Sequence, residues 1–171
     1  NLDNELRDSL AEDIAYAAAR HYNDNKLITS SRGIPVDVIN SKNVGLLGAG
    51  LEGMHWIEAV NGRNKVLLVD NNKFVVALLG KYAELKGKTN IEVIASDITS
   101  DDFANIVSRS QLEVVILNKV IHELGRAVAA PSEDAGNFEE EIRINSSVAV
   151  KSREALLKNL QTVKEIRVME E

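Results

Sequence analysis

The segment GAGLEG, Gly48 to Gly53, follows the apolar run VGLL and precedes HWIEAV, so its glycines stand where a strand turns into a helix. Gly48 and Gly50 can take dihedrals closed to other residues and clear the path of a ligand. Gly53 is expected to allow close packing of helix on strand. The helix that follows points its free N–H groups at whatever docks there. The next strand, KVLLVD, ends in Asp70, about 20 residues past the glycines, where a carboxylate can accept hydrogen bonds from both ribose hydroxyls. Strand, glycine turn, helix, strand and terminal acid together point to a nucleoside-binding site. The competing reading is an empty α/β domain whose glycines serve only the turn.

Other residues add to this set. Asp97 stands directly after the run NIEVIAS. There it either reaches the exocyclic amine of an adenine over the glycine turn or, with Thr99, caps the helix that begins near Ser100. His122 and Glu123 follow the fourth strand, where a base can act, and histidine titrates near neutrality; the alternative is a His122 that faces outward or caps a helix. Trp56, beside His55 at the start of the helix after the turn, is expected in the core. His21 and Tyr22, near the end of the first helix, either close over the ligand or serve the helix dipole. The three histidines show no metal-ligand spacing and the chain has no cysteine, so no metal site and no disulfide are expected.

These residues need a scaffold. The chain has 171 residues, 44% of them hydrophobic, enough for one domain with a sizeable core: residues 1–42 as an N-terminal helix and connector, 43–171 as the nucleoside-binding core. The net charge of −6, with basic residues scattered, argues against a nucleic-acid partner and leaves a small-molecule substrate. No apolar run is long enough to span a membrane and the first residues are polar and acidic, so a cytoplasmic location is expected. A chain starting at Asn1 is expected to be a processed or excised piece, and nothing in it reports an oligomeric state.

From Leu2 to Tyr22, Leu6, Leu10, Ile14 and Ala17/Ala18 recur at helical spacing and predict an amphipathic helix that buries this stripe. Residues 23–43 predict a connector with one short extended piece. From Asn43 on, β-branched runs alternate with helical stretches: VGLL, MHWIEAV, KVLLVD, NKFVVALLGKYAELKG, IEVIAS, SDDFANIVSRS, LEVVIL. Continuous apolar strands joined by helices predict a doubly wound, mainly parallel α/β sheet. In the fourth helical stretch Phe74, Ala77, Leu78 and Leu85 are expected against the sheet. After Leu117 the pattern weakens: 125–145 predicts a solvated acidic loop that includes Glu139 to Glu141, helical period returns around Ser147 to Leu160, and KEIRVME predicts a fifth strand.

From about Val44 to Leu124 the chain resembles the class I S-adenosylmethionine-dependent methyltransferases, through GAGLEG, VLLVD, KYAELKGKTNIEVIASD and VVILNKVIHEL. The resemblance implies a Rossmann-like fold and methyl transfer to a small molecule. Gly48 and Gly50 would pass the amino-acid part of the cofactor, Asp70 would hold the ribose and Asp97 would contact the adenine. Ala49, Gly53, Asn71, Ile98 and Asn118 complete the expected cofactor contacts, with Lys119 and His122 on the substrate side and His122 as candidate catalytic base. The match is partial: Leu46 stands where the family has an acid, Glu52 where it has a third glycine, the Pro-Gly-Gly turn before strand five is absent, and the final strand hairpin is not expected. The spacing GxGxxG also fits a dinucleotide, so NAD with an oxidoreductase activity is the alternative, Asp70 then disfavouring NADP. A third reading is a methyltransferase-like binding or scaffold domain without catalysis.

Overall fold

The computed structural model describes residues 2–25, 34–118 and 151–169, with backbone alone at 21–25 and 169. The elements are α1 (Leu2–Asn25), α2 (Val36–Ile39), β1 (Val44–Leu47), α3 (Gly53–Ala59), β2 (Val66–Asp70), α4 (Lys73–Leu85), β3 (Ile91–Ala95), α5 (Asp101–Ser110), β4 (Val114–Asn118), helical residues 151–159 (α6) and β5 (Glu165–Met169). The five strands form one all-parallel sheet in the order β3-β2-β1-β4-β5. Strand order reverses at β1, whose neighbours are β2 and β4. The α/β sheet and all five predicted strands are thus observed.

Alternate residues of each central strand feed two cores. Val44, Leu46, Val66, Leu68, Val114 and Ile116 pack with α1, α3 and α4 on one face, and Leu47, Leu67, Val69, Val115 and Leu117 pack with α5 and α6 on the other. This two-sided burial is why β1, β2 and β4 are continuous apolar runs. Trp56 is fully buried in the first core, as expected. In α4 the buried set is Leu78, Leu79, Tyr82 and Ala83, with Phe74, Ala77 and Leu85 only partly covered.

Local chemistry fixes the ends of α4. Asn72 accepts from the amides of Phe74 (2.9 Å) and Val75 (3.4 Å) as the N-cap. At the other end Gly87 takes φ 67°, with Gly87 N–H bonded to Glu84 O and Lys88 N–H to Ala83 O, the double closure of a Schellman motif. Tyr82 Oη donates to Glu58 (2.6 Å), which also pairs with Lys86 (2.9 Å), joining α4 to α3.

One expectation needs correction. Helix α1 buries Ala11 and Ala15, while Leu6, Leu10 and Ile14 are 61%, 55% and 37% exposed; Ala17 is exposed and Ala18 half-buried. Alanines let α1 approach α4 closely, where Lys81 lies 5.4 Å from the Tyr16 ring centre, and this close seam places the leucine stripe outward. In the described part of the connector, residues 34–43, Pro35 is the N-cap of the short helix α2, and residues 26–33, where an extended piece could also fall, lie outside the described residues. The expectations for 119–150, including Lys119, His122, Glu123, the 125–145 loop and Glu139 to Glu141, lie outside the described residues, as do the side chains of His21 and Tyr22. Among the described residues no helix is long and apolar enough to cross a membrane.

Two glycine substitutions separate steric need from chain entropy. At Gly62 a Cβ would meet Asn64 Oδ1 and lie 2.6 Å from the carbonyl oxygen of Asn40, whereas at Gly80, inside α4, it would meet nothing within 4 Å. Urea denaturation should therefore find Gly62→Ala destabilised by about 1–3 kcal/mol and Gly80→Ala stabilised by about 0.5–1 kcal/mol.

Candidate functional site

Parallel strands bring their carboxyl ends to one edge of the sheet. In spatial order that edge carries Asp97 after β3, Asp70 at the end of β2, the glycine turn after β1 and Asn118 at the end of β4. The predicted glycines, the two acids and Asn118 are therefore brought to a common edge.

The turn begins by extending the sheet: the amides of Gly48 and Ala49 both donate to Val69 O, at 2.9 and 3.0 Å. Gly48 and Gly50 then take φ 74° and 55°, the left-handed region closed to most side chains. Among the described residues a Cβ on Gly50 would meet nothing within 4 Å, so its constraint is the backbone angle. Gly53 has another role. A Cβ there would lie 2.7 Å from Leu79 Cδ1, so this glycine serves the packing of α3 on α4, correcting the expected helix-to-strand contact. The side chain of Ala49 is fully buried in the core beneath.

Side chains from both flanking strands pin the turn. Asp70 accepts from the amide of Gly50 through Oδ2 (2.9 Å) and from the amide of Asn72 through Oδ1 (2.8 Å). From β4, Asn118, only 6% exposed, donates through Nδ2 to Gly48 O (3.1 Å) and Glu52 Oε2 (3.0 Å). The remaining amides also bond within the protein: Gly53 to Gly50 O, Met54 to Leu51 O and His55 to Glu52 O. The N–H groups of Gly48, Ala49, Gly50, Gly53, Met54 and His55 are thus all occupied by protein acceptors. The expected row of free donors at the start of α3 is not what the turn presents at these positions, because short-range turn bonds and Asp70 satisfy them first.

On the β3 side, Asp97 Oδ1 accepts from the hydroxyl (2.7 Å) and the amide (2.9 Å) of Thr99. The Thr99 hydroxyl first, and its amide second, hold the Asp97 carboxyl below its ordinary range. The side chain is exposed. Of the two readings for Asp97 and Thr99, capping takes an altered form: Ser100 is the N-cap residue of α5, without a side-chain cap bond, and Asp97 closes a turn on Thr99. Ile98 packs against the second core, and Asn71 is exposed next to Asp70.

Two residues at this edge were not anticipated. Asn72 caps α4 and ties back to Asp70; its signal was an Asn directly before a helical run. Asn159, on α6 and 5% exposed, donates to Ile98 O (2.9 Å) and Ser100 O (2.8 Å), holding the loop that carries Asp97. Its signal was a polar residue at a core-facing position between Leu156 and Leu160. Among the described residues no group of three His, Asp or Glu side chains could hold a metal ion.

The lowered Asp97 pKa gives a titration test. Any stability it contributes is complete above the ordinary carboxylate range and is lost as pH falls through the lowered value. Thr99→Ala removes the larger cause and should raise the Asp97 pKa toward its ordinary value, as read from its side-chain carbon shift by NMR. An unchanged midpoint would show that the hydroxyl does not act on it.

No family model matches the chain, and no curated protein matches it.

Proposed function

We propose that the chain binds S-adenosylmethionine over the glycine turn and transfers its methyl group to a small-molecule acceptor, in a Rossmann-like methyltransferase fold. The observation that carries this reading is the state of the turn: the amides of Gly48, Ala49, Gly50 and Gly53 bond within the protein, Asp70 stands at its lip, and a Cβ on Gly50 would meet nothing within 4 Å among the described residues. A dinucleotide rests its pyrophosphate on free amides at such a turn. Here the amides of Gly48, Ala49, Gly50 and Gly53 already bond within the protein, so a phosphate pair would compete with those bonds. An adenosine joined to a sulfonium has no such need.

In this reading Asp70 receives the ribose hydroxyls. Each carboxylate oxygen has a second lone-pair direction, so both can keep their amide bonds while accepting from the sugar. Asp97, next along the edge, would accept from the adenine amine with Oδ2, since its bonds to Thr99 use Oδ1. Methyl transfer from a sulfonium is an in-line displacement: the acceptor atom forms a bond to the methyl carbon as the carbon–sulfur bond breaks and its electron pair stays on sulfur. The protein's main contribution is then alignment, and the pinned turn supplies a fixed floor for it.

Calorimetric titration with S-adenosylmethionine, S-adenosylhomocysteine, NAD and NADP tests the reading. The two adenosyl ligands should bind and the dinucleotides should not; selective NAD binding would reverse the assignment. Asp70→Ala should weaken adenosyl binding about ten- to a hundredfold, the loss of charge-assisted hydrogen bonds. Unchanged affinity in the folded variant would remove Asp70 from the ribose.

A further inference from the structure

At the opposite, amino-terminal edge of the sheet, the α3-to-β2 connection contains the dipeptide Asn61-Gly62. Asn61 is exposed. Such a pair is chemically unstable in water, because glycine leaves its amide nitrogen unshielded beside the asparagine side chain. The deprotonated nitrogen of Gly62 can attack Cγ of Asn61. An N–Cγ bond forms, the Cγ–Nδ2 bond breaks, and ammonia leaves with the proton. Water then opens the five-membered succinimide at either carbonyl, giving aspartate or isoaspartate and one added negative charge.

The fold requires Gly62 at this place. A Cβ there would meet Asn64 Oδ1 and would lie 2.6 Å from the carbonyl oxygen of Asn40. The vulnerable dipeptide is therefore built into the turn for steric reasons. The same turn restrains its nitrogen: Asn40 Oδ1 accepts from the amides of both Asn61 (2.7 Å) and Gly62 (3.0 Å), and Asn40 Nδ2 donates to Ala59 O (3.4 Å). The attacking nitrogen is thus engaged as a donor, and the backbone on both sides of the Asn61 side chain is held to one oxygen. Separately, Asn90 Nδ2 donates to Gly62 O (3.2 Å) and Asn64 O (2.6 Å).

We propose that Asn61 is a site of spontaneous deamidation and that Asn40 holds it in check through the Gly62 amide. Conversion proceeds only from locally opened molecules. Isoaspartate would insert an extra atom into the main chain between the two amides that Asn40 binds, so each event would remove the clamp that suppressed it.

The test incubates the full chain in mildly alkaline buffer and follows residue 61 by peptide mass spectrometry, with a synthetic peptide spanning Ala59 to Lys65 as the unrestrained reference. The wild type should convert about tenfold or more slowly than the peptide, the effect of one hydrogen bond on the attacking group. Asn40→Ala should approach the peptide rate, while Asn40→Asp, which keeps the acceptor oxygen, should stay near wild type. Asn90→Ala loosens the same turn without releasing the Gly62 amide and should accelerate conversion far less than Asn40→Ala. Wild-type conversion at the peptide rate would overturn the proposal, as would equal acceleration by Asn40→Ala and Asn90→Ala, or Asn40→Asp converting as fast as the peptide.

Discussion

The candidate site depends on a turn held from two sides. Asp70 reaches from β2 to the Gly50 amide and Asn118 from β4 to the Gly48 carbonyl, across the point where strand order reverses. A turn with two left-handed glycines, one on each side of Ala49, would otherwise be a mobile loop, because glycine loses more conformational freedom on ordering than any other residue. Anchoring by the two neighbouring strands turns that liability into a preformed surface. The Asp70 anchor also takes up the Gly50 amide, so the bond that orders the turn uses one of its donors.

The two edges of the sheet use similar chemistry for different ends. At the carboxyl edge Asn72, Asn118 and Asn159 hold the loops that follow the strands. At the amino edge Asn40, Asn43, Asn64 and Asn90 stitch loops to one another: Asn64 Nδ2 reaches the carbonyls of Ile39 (2.7 Å) and Lys42, and Asn43 Oδ1 accepts from the Lys65 amide (3.0 Å). An amide side chain offers donors and an acceptor without charge, which suits it to irregular backbone lacking partners of its own. These bonds close the amino edge, where Asn64 Oδ1 is buried without a hydrogen-bond partner among the described residues; at the carboxyl edge a Cβ on Gly50 would meet none of the described residues within 4 Å.

The sheet was legible because its central strands β1, β2 and β4 are buried on both faces, which forces uninterrupted Val, Ile and Leu runs such as VLLVD. The site acids were legible for a related reason: in a parallel sheet, residues that end successive strands must share an edge. Helix α1 was misjudged because periodicity weights Leu6, Leu10 and Ile14 above Ala11 and Ala15, whereas close helix contact selects the small side chains. The asparagine bridges were not legible, since their partners are backbone carbonyls distant in sequence, and Gly53 was assigned the wrong neighbour because spacing does not distinguish Leu79 of a helix from a strand.

The most direct test of a preformed nucleoside surface is a backbone amide NMR titration of the labelled chain with S-adenosylmethionine. The account predicts shifts concentrated at Gly48–Gly53, Asp70–Asn72 and Asp97–Thr99, with Asn40, Asn61–Lys65 and Asn90 at the other edge unmoved. Absent shifts, or shifts centred on the amino edge, would contradict it.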